Sequence, residues 1–328
     1  MKGFFILFNM KKFYIPAIAG VAALLLLSAI VYSFKVLKND EIASWHMINV
    51  NGGKLQGDAN FLVIGDSTVM IDAGYASEAK KAVIPYLAEL GVKSIDHFFI
   101  THPHKDHYEG LAVILDSGIK IRNLYYKIPE PEIKDCCYDE QHFLKFVNYA
   151  GDRGAKLIQP AKGFRLALPH STELEILHAQ EGNLPNLKFD INDLSMVMKW
   201  SVNGSTVLFT GDLNKKLGGI LSSDQRMQSD FLKMPHHGAA SLAPDSFFEA
   251  VDPAYVLVPG PESVWCGDRG SRPRKWTIER KVPTWVNGIN GHVKVEFKPN
   301  ETVISPEKID GKCKLRAFGQ LSVKKGGS

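Results

Sequence analysis

The chain has 328 residues, 45% of them hydrophobic and 23% charged, with a formal net charge of +4. That supports one or two packed domains and excludes a disordered or low-complexity chain. Lys and Arg are spread along the sequence, apart from Arg269–Lys281 and the last twenty or so residues, so charge alone makes no case for nucleic acid. The four cysteines, with Cys136 and Cys137 adjacent, match neither a disulfide scaffold nor a C-x-x-C pattern, and the redox compartment stays open on that ground.

The first element is a run from Phe13 to Phe34, about 22 residues without a charge and long enough as a helix to cross a ~30 Å hydrocarbon core. Lys2, Lys11 and Lys12 precede it and Lys35 and Lys38 follow. The excess on the N-terminal side predicts an N-inside orientation, with the remainder outside the cytoplasm. A cleaved signal peptide is the rival, but the run exceeds the usual ~7–15 apolar residues and no A-x-A-like site follows it, which favours a single uncleaved membrane anchor.

Ala43–Val50 then reads as a strand, Asn51–Gly53 as a turn, and Asn60–Ile64 with Thr68–Ile71 as a hairpin joined through Gly65-Asp66-Ser67. Ala76–Leu90 has apolar residues at helical spacing and stops at Gly91; Asp96–Ile100 is a short apolar strand running into Thr101-His102. Tyr108–Leu115 predicts a helix ended by Gly118, Ile119–Tyr126 a strand, and Glu140–Tyr149 a helix. Ser195–Ser201 and Ser205–Thr210, joined across Asn203-Gly204, give the strongest hairpin signal in the chain, and it ends in Gly211-Asp212. Phe231–Met234 leads into Pro235-His236-His237-Gly238, and Ala254–Val258 into Pro259-Gly260. This parses the chain into a segment 1–40 with the anchor at 13–34, a catalytic domain at 41–300, and a basic, weakly patterned tail at 301–328.

Chemistry concentrates after the strand that ends at Ile100. His102-Pro103-His104-Lys105-Asp106-His107 packs three histidines and a carboxylate into six residues. His102 and His104, extended and facing one side, suit one ion, and Asp106 and His107, after a bend, suit a second. A carboxylate bridging the two has to come from elsewhere, and Asp212, beside Gly211 at the hairpin's end, is the candidate.

With Ile71-Asp72-Ala73-Gly74 upstream and Thr210-Gly211-Asp212 downstream, the His102-x-His104-x-Asp106-His107 motif resembles the metallo-β-lactamase superfamily from about residue 43 to 298. Gly57-Asp58-Ala59-Asn60, Asn192-Asp193-Leu194-Ser195 and Leu232-Lys233-Met234-Pro235-His236-His237-Gly238 are similar to the extracytoplasmic domain of ComEC-type DNA-uptake proteins. The resemblance implies an α/β fold, the αββα sandwich, with two divalent metal ions (zinc, or manganese) at one edge between the sheets. It implies that Asp72 orients the histidine loop by hydrogen bonding rather than ligating. Of His236 and His237, one touches a metal or the scissile phosphate while the other packs. Asp106, His236 and His237 form the candidate catalytic group.

Two departures from the family pattern stand out. Asn192-Asp193 occupies the region where many relatives place a further histidine, and Trp265-Cys266-Gly267-Asp268-Arg269 replaces a late Gly-His-Pro, so Cys266 or Asp268 is the candidate replacement ligand. Arg269, Arg272, Arg274 and Lys275, interleaved with Trp265 and Trp276, read either as a phosphate- and base-binding stretch, Arg269 and Arg272 foremost, or as a solvated face. The expected function is metal-assisted hydrolysis of a phosphodiester, as a nuclease or other phosphodiesterase, with nucleic acid as the candidate partner. The alternatives are an acyl hydrolase of the β-lactamase or lactonase type, and a metal-poor module that binds an anionic polymer.

Overall fold

The computed structural model describes residues 42–52, 55–133, 135–180, 189–239, 242–311 and 313–325. The expected anchor at 13–34 lies outside the described residues, and among those described no helix is long and apolar enough to cross a membrane.

The strands are, in chain order, β1 (Ala43–Met47), β2 (Ala59–Ile64), β3 (Ser67–Ala73), β4 (Ser94–Phe99), β5 (Lys120–Tyr125), β6 (Lys156–Ile158), β7 (Arg165–Leu168), β8 (Thr172–His178), β9 (Val197–Val202), β10 (Ser205–Phe209), β11 (Phe231–Lys233), β12 (Tyr255–Val258), β13 (Thr284–Val286), β14 (Val293–Phe297), β15 (Glu301–Pro306) and β16 (Leu321–Lys324). They form one sheet ordered β16-β15-β14-β1-β2-β3-β4-β5-β6 and a second ordered β13-β12-β11-β10-β9-β8-β7. Between the sheets, Trp45, Leu62, Ile71 and Phe99 of the first meet Met198, Trp200, Phe209, Leu257 and Trp285 of the second in one buried apolar layer. The outer face of the first sheet is covered by the helices Gly110–Asp116 and Glu140–Asp152 and by the helical stretch from Ala76 to Glu89. The outer face of the second is covered by Lys215–Leu221, Asp245–Val251 and Ser271–Glu279. The central strands are apolar on both faces, as the consecutive Met70 and Ile71 or Phe98 and Phe99 in opposite cores show, which forces this four-layer solution because each sheet has two sides to bury.

The expected hairpin is present as β9 and β10, with Asn203 and Gly204 at φ 45° and 71°, the left-handed pair that such a two-residue turn requires. Strands β3 and β4 run parallel, as do β10, β11 and β12, so all five deliver their C-terminal ends toward the histidine loop. Ends of parallel strands are where open sheets place their ligands. Thr101 O accepts from Met196 N at 2.9 Å, which pins the loop after β4 to the approach of β9 in the other sheet.

Two expectations need correction. The described part of the expected tail, residues 301–311 and 313–325, is not loose: β15 pairs with β14 and β16 with β15, and Cys313 is bridged to Cys266. The alternation of apolar and polar residues that buries Ile304 at the inter-sheet core is short, and the lysine-rich sequence that follows it, Lys324 opposite Glu301 included, masks it. The helix expected from Tyr108 instead begins at Lys105, with the extended His104 at its N-cap, so the bend expected before Asp106 and His107 is the first turn of a helix.

Candidate metal centre

Asp72, the penultimate residue of β3, sits at φ 59°, fully buried, and accepts three hydrogen bonds: Thr101 N at 2.8 Å, Thr101 Oγ1 at 2.7 Å and His107 Nδ1 at 2.8 Å. Burial pushes its carboxyl up, and the contact with His107 pulls it back. The three converging donors call for the ionised form. Since a carboxylate only accepts, His107 carries its proton on Nδ1 and turns the lone pair of Nε2 inward, 3.4 Å from Asp212 Oδ1. His237 is set in the same way: its Nδ1 donates to Pro259 O at 3.0 Å, and Nε2 faces Asp212 Oδ2 at 3.0 Å and Asp106 Oδ2 at 3.3 Å.

Ligand atoms of Asp106, His107, Asp212 and His237 thus lie within 4.8 Å of one another, all four residues buried. His107 Nε2, His237 Nε2 and Asp212 Oδ1 are buried and make no hydrogen bond. Buried acceptors facing acceptors are costly unless a cation lies among them, so the residues present fit a divalent ion. Without one, protons take that part: burial alone would lower both imidazoles, but Asp212 and its neighbours hold His107 and His237 well above the ordinary histidine value.

His102 and His104 make a second such pair. Thr101 Oγ1 spends its proton on Asp72, so it accepts from His102 Nδ1 at 3.1 Å; His104 Nε2 donates to Asp135 Oδ2 at 2.9 Å. The nitrogens left over, His102 Nε2 and His104 Nδ1, face each other at 3.1 Å. In these tautomers both are lone pairs, which a shared cation satisfies and a hydrogen bond does not.

The backbone is bent to bring this about. His236 and His237 are successive non-glycine residues at φ 48° and 54°, a strained arrangement costing ~1–3 kcal/mol each. Gly211 at φ 50° lets Asp212 in, since a Cβ there would lie 2.6 Å from Ser195 Oγ, the atom that accepts from Asp212 N at 2.9 Å. Below them Lys233, 1% exposed, is ion-paired with Asp58 and donates to Gly211 O at 2.8 Å, and Asp58 Oδ1 lies 3.3 Å from His237 Nδ1. One buried cation thereby ties the Asp212 turn to the His237 turn.

A cavity of about 250 Å³ opens over the cluster, lined by Gln56, Tyr75, His104, Lys105, Asp106, Cys137, Asn192, Asp212 and His236. His236 donates from Nδ1 to Asn214 Oδ1 at 2.8 Å, and Asn214 Nδ2 donates to Asp190 Oδ2 at 2.8 Å, so His236 Nε2 is the acceptor, 4.0 Å from Asp212 Oδ2. Burial holds His236 below the usual imidazole range, opposed by Asp212. Asn192 lines the same cavity, and its Oδ1 is buried without a hydrogen bond.

Of the sequence-derived candidates, Asp72, His102, His104, Asp106, His107, Asp212, His236 and His237 are brought together. His237, not Cys266 or Asp268, supplies the late acceptor. Cys266 is committed to a disulfide with Cys313, and exposed Asp268 belongs to none of the described clusters able to hold an ion. Arg272 is not a substrate arm: it bonds Asp245 and the carbonyls of Leu242 and Ala243, while Arg274 bonds the carbonyls of Trp265 and Gly267. Trp265 and Trp276 are buried in the core rather than offered as stacking faces. Arg269 does reach the rim, 3.4 Å from Gln56 Oε1. Asp58, Asp135 and Lys233 were not legible as functional residues, although a lysine inside a buried three-residue strand was a signal in plain view.

A family model described as the metallo-beta-lactamase superfamily matches residues 52–260. ComE operon protein 3 of Bacillus subtilis (strain 168) is 26% identical over 224 residues, 62% of this chain, and the match spans only 27% of that relative's length. Among solved structures, the metallo-beta-lactamase fold protein YhfI from Bacillus subtilis is 14% identical with a TM-score of 0.48, over 75% of this chain and 96% of that one. A diphosphatase from the PhnP family is 11% identical with a TM-score of 0.43, over 78% and 99%.

Proposed function

Since the chain belongs to the metallo-β-lactamase superfamily of metal-dependent hydrolases, we propose that it cleaves phosphodiesters, with single-stranded nucleic acid as the first substrate to test. The observation that carries hydrolysis is the set of buried acceptors from Asp106, His107, Asp212 and His237, aimed at one another on the floor of an open polar cavity. Asp106, His107, Asp212 and His237 would hold one divalent ion, and His102 and His104 would offer donors to a second; such ions, when bound, would supply Lewis acidity and activate water near neutral pH. Zinc, or manganese, fits a donor set of imidazoles and carboxylates.

The phosphodiester reading is supported by the rim. Lys105 lines the cavity and makes no ion pair among the described residues, and Arg269 lies beside Gln56 at its mouth. Both are placed to offset phosphate charge. Asn214 holds His236 as the Nε2 acceptor. That nitrogen takes up the proton shed by the attacking water and passes it to the departing oxygen, a role worth ~10²–10⁴-fold in general. The ComEC-like resemblance points the same way. The proposal includes the membrane anchor at 13–34 and a catalytic domain outside the cytoplasm. The Cys266–Cys313 bridge supports that placement, because such bridges persist in oxidising compartments.

The test is metal content by mass spectrometry together with turnover of bis-p-nitrophenyl phosphate, nitrocefin and a homoserine lactone, for wild type and Asp212→Ala. Bound divalent metal, phosphodiester turnover, and a loss of about 10²–10³-fold or more in the variant support the proposal. Turnover of nitrocefin or the lactone alone moves the assignment to an acyl hydrolase, and binding of an anionic polymer without any turnover moves it to a binding module.

A further inference from the structure

Cys136 and Cys137 form a vicinal pair on the wall of the metal cavity, and nothing in the hydrolytic reading uses them. Both are exposed, their Sγ atoms lie 2.7 Å apart, and Cys137 lines the cavity with His104, Asp106 and Asp212. The preceding residue, Asp135, links them to the metal centre. Its Oδ2 accepts from His104 Nε2 at 2.9 Å, while its Oδ1 accepts from Cys137 N at 2.8 Å and Tyr138 N at 3.0 Å. One carboxylate therefore fixes both the tautomer of His104 and the backbone of the cysteine turn. The turn is held on either side by Ile133 and Tyr138, which pack with Ile191 and Leu194. A change in the shape of the pair therefore falls between these two anchors, where Asp135 stands.

We propose that Cys136 and Cys137 are a reversible dithiol–disulfide pair that sets, through Asp135, how firmly His104 holds metal. This inference rests on the metal-centre reading above. A low-molecular-mass disulfide is the co-reactant. One cysteine thiolate attacks it, forming a mixed disulfide and releasing one thiol; the second cysteine attacks the protein sulfur of that mixed disulfide and releases the other thiol. Two electrons pass from the cysteine pair to the small disulfide, and both cysteine protons leave with the departing thiols. The bridge so formed spans adjacent residues, whose Cα atoms are ~3.8 Å apart across a trans peptide, against the usual ~4.4–6.8 Å. Such a closure is strained and correspondingly easy to reduce. The Cys266–Cys313 pair, at a Cα separation of 5.6 Å, falls within the ordinary range and stays closed under the same conditions.

The experiment uses the zinc-loaded full-length chain equilibrated in glutathione buffers of graded ratio. Free thiols are then alkylated and mapped by mass spectrometry, and zinc loss to a coloured chelator is timed in the same buffers. Cys136 and Cys137 are expected to lose alkylation together, without intermolecular crosslinks, over a range in which Cys266 and Cys313 stay protected. Zinc loss is expected to speed up about tenfold on oxidation, the low end of what losing an imidazole's carboxylate partner costs (~10–100-fold). The double variant Cys136→Ser with Cys137→Ser keeps one rate across all buffers. Thiols that stay alkylatable in the most oxidising buffer, or that pair between chains, overturn the proposal. A pair that closes while zinc loss stays constant overturns the coupling alone. A chain that takes up no zinc in either state removes the metal-centre reading and the coupling with it.

Discussion

Replacing Asp72 by Asn tests the logic of the metal centre without touching a ligand. Asn tolerates the φ of 59° at this position, so the backbone has no reason to move. The amide oxygen keeps the bond from Thr101 N, but the amide nitrogen, a donor, then faces His107 Nδ1, itself a donor. His107 relieves the clash by shifting its proton to Nε2, the atom 3.4 Å from Asp212 Oδ1, and one inward lone pair is lost. Losing such an orienting partner costs ~10–100-fold in metal affinity, which corresponds to ~1.4–2.7 kcal/mol. The fold loses ~1–3 kcal/mol for each of the two buried contacts of Asp72 Oδ2, from Thr101 Oγ1 and His107 Nδ1, that is remade badly. Competition of zinc against a chelator measures the first quantity, and urea unfolding followed by circular dichroism measures the second. A folded Asp72→Asn chain that holds zinc as tightly as wild type would refute the tautomer argument and the role of Asp72 with it.

Lys233→Met strands the buried Asp58 carboxylate and is expected to lower the unfolding free energy by ~3–5 kcal/mol; adding Asp58→Asn should return much of that, read from paired urea curves. Arg269→Ala is expected to raise KM for a phosphodiester about three- to tenfold with little change in stability, as suits one exposed charge-assisted contact. Arg272→Ala should do the reverse, costing ~1–3 kcal/mol of stability by leaving the Leu242 and Ala243 carbonyls without a partner. His46 lies between Ser44 Oγ and Tyr86 OH, each 2.8 Å from a ring nitrogen, and burial, then Lys294 and His292, hold it down at about 3. The native state therefore binds fewer protons than the unfolded chain between about pH 6.5 and 3, so stability present at pH 7 is lost on acidification. At pH 5 the loss from this one group is ~2 kcal/mol, and His46→Gln, which keeps a polar side chain but does not titrate, should lack that component in melts at the two pH values.

The metal-binding loop, its partner Asp212 and the main hairpin were legible from residues alone, because their signals are local. A dense H-x-H-x-D-H run after an apolar strand admits few other readings, and Asn203-Gly204 names its own turn. Ambiguity began wherever a role depended on what stands opposite in space. The choice between His236 and His237 was open in sequence because both follow one proline. It is decided by two left-handed residues that bury His237 among Asp106 and Asp212 and leave His236 on the cavity wall. Cys266 was a plausible ligand until its 47-residue reach to Cys313 was seen, and Arg272 a plausible phosphate arm until its carbonyl partners were. The C-terminal stretch hid two strands: β16 stands at the sheet edge and buries none of its residues fully, and β15 inside it buries only three, too few to stand out from the lysine-rich sequence that follows. Sequence determined which atoms were present and which could be near by periodicity. Only the face-to-face packing of two sheets, with the ends of β3, β4, β10 and β11 meeting at one rim, decided which lone pairs face one another, because that depends on contacts between residues as far apart as Asp58 and His237.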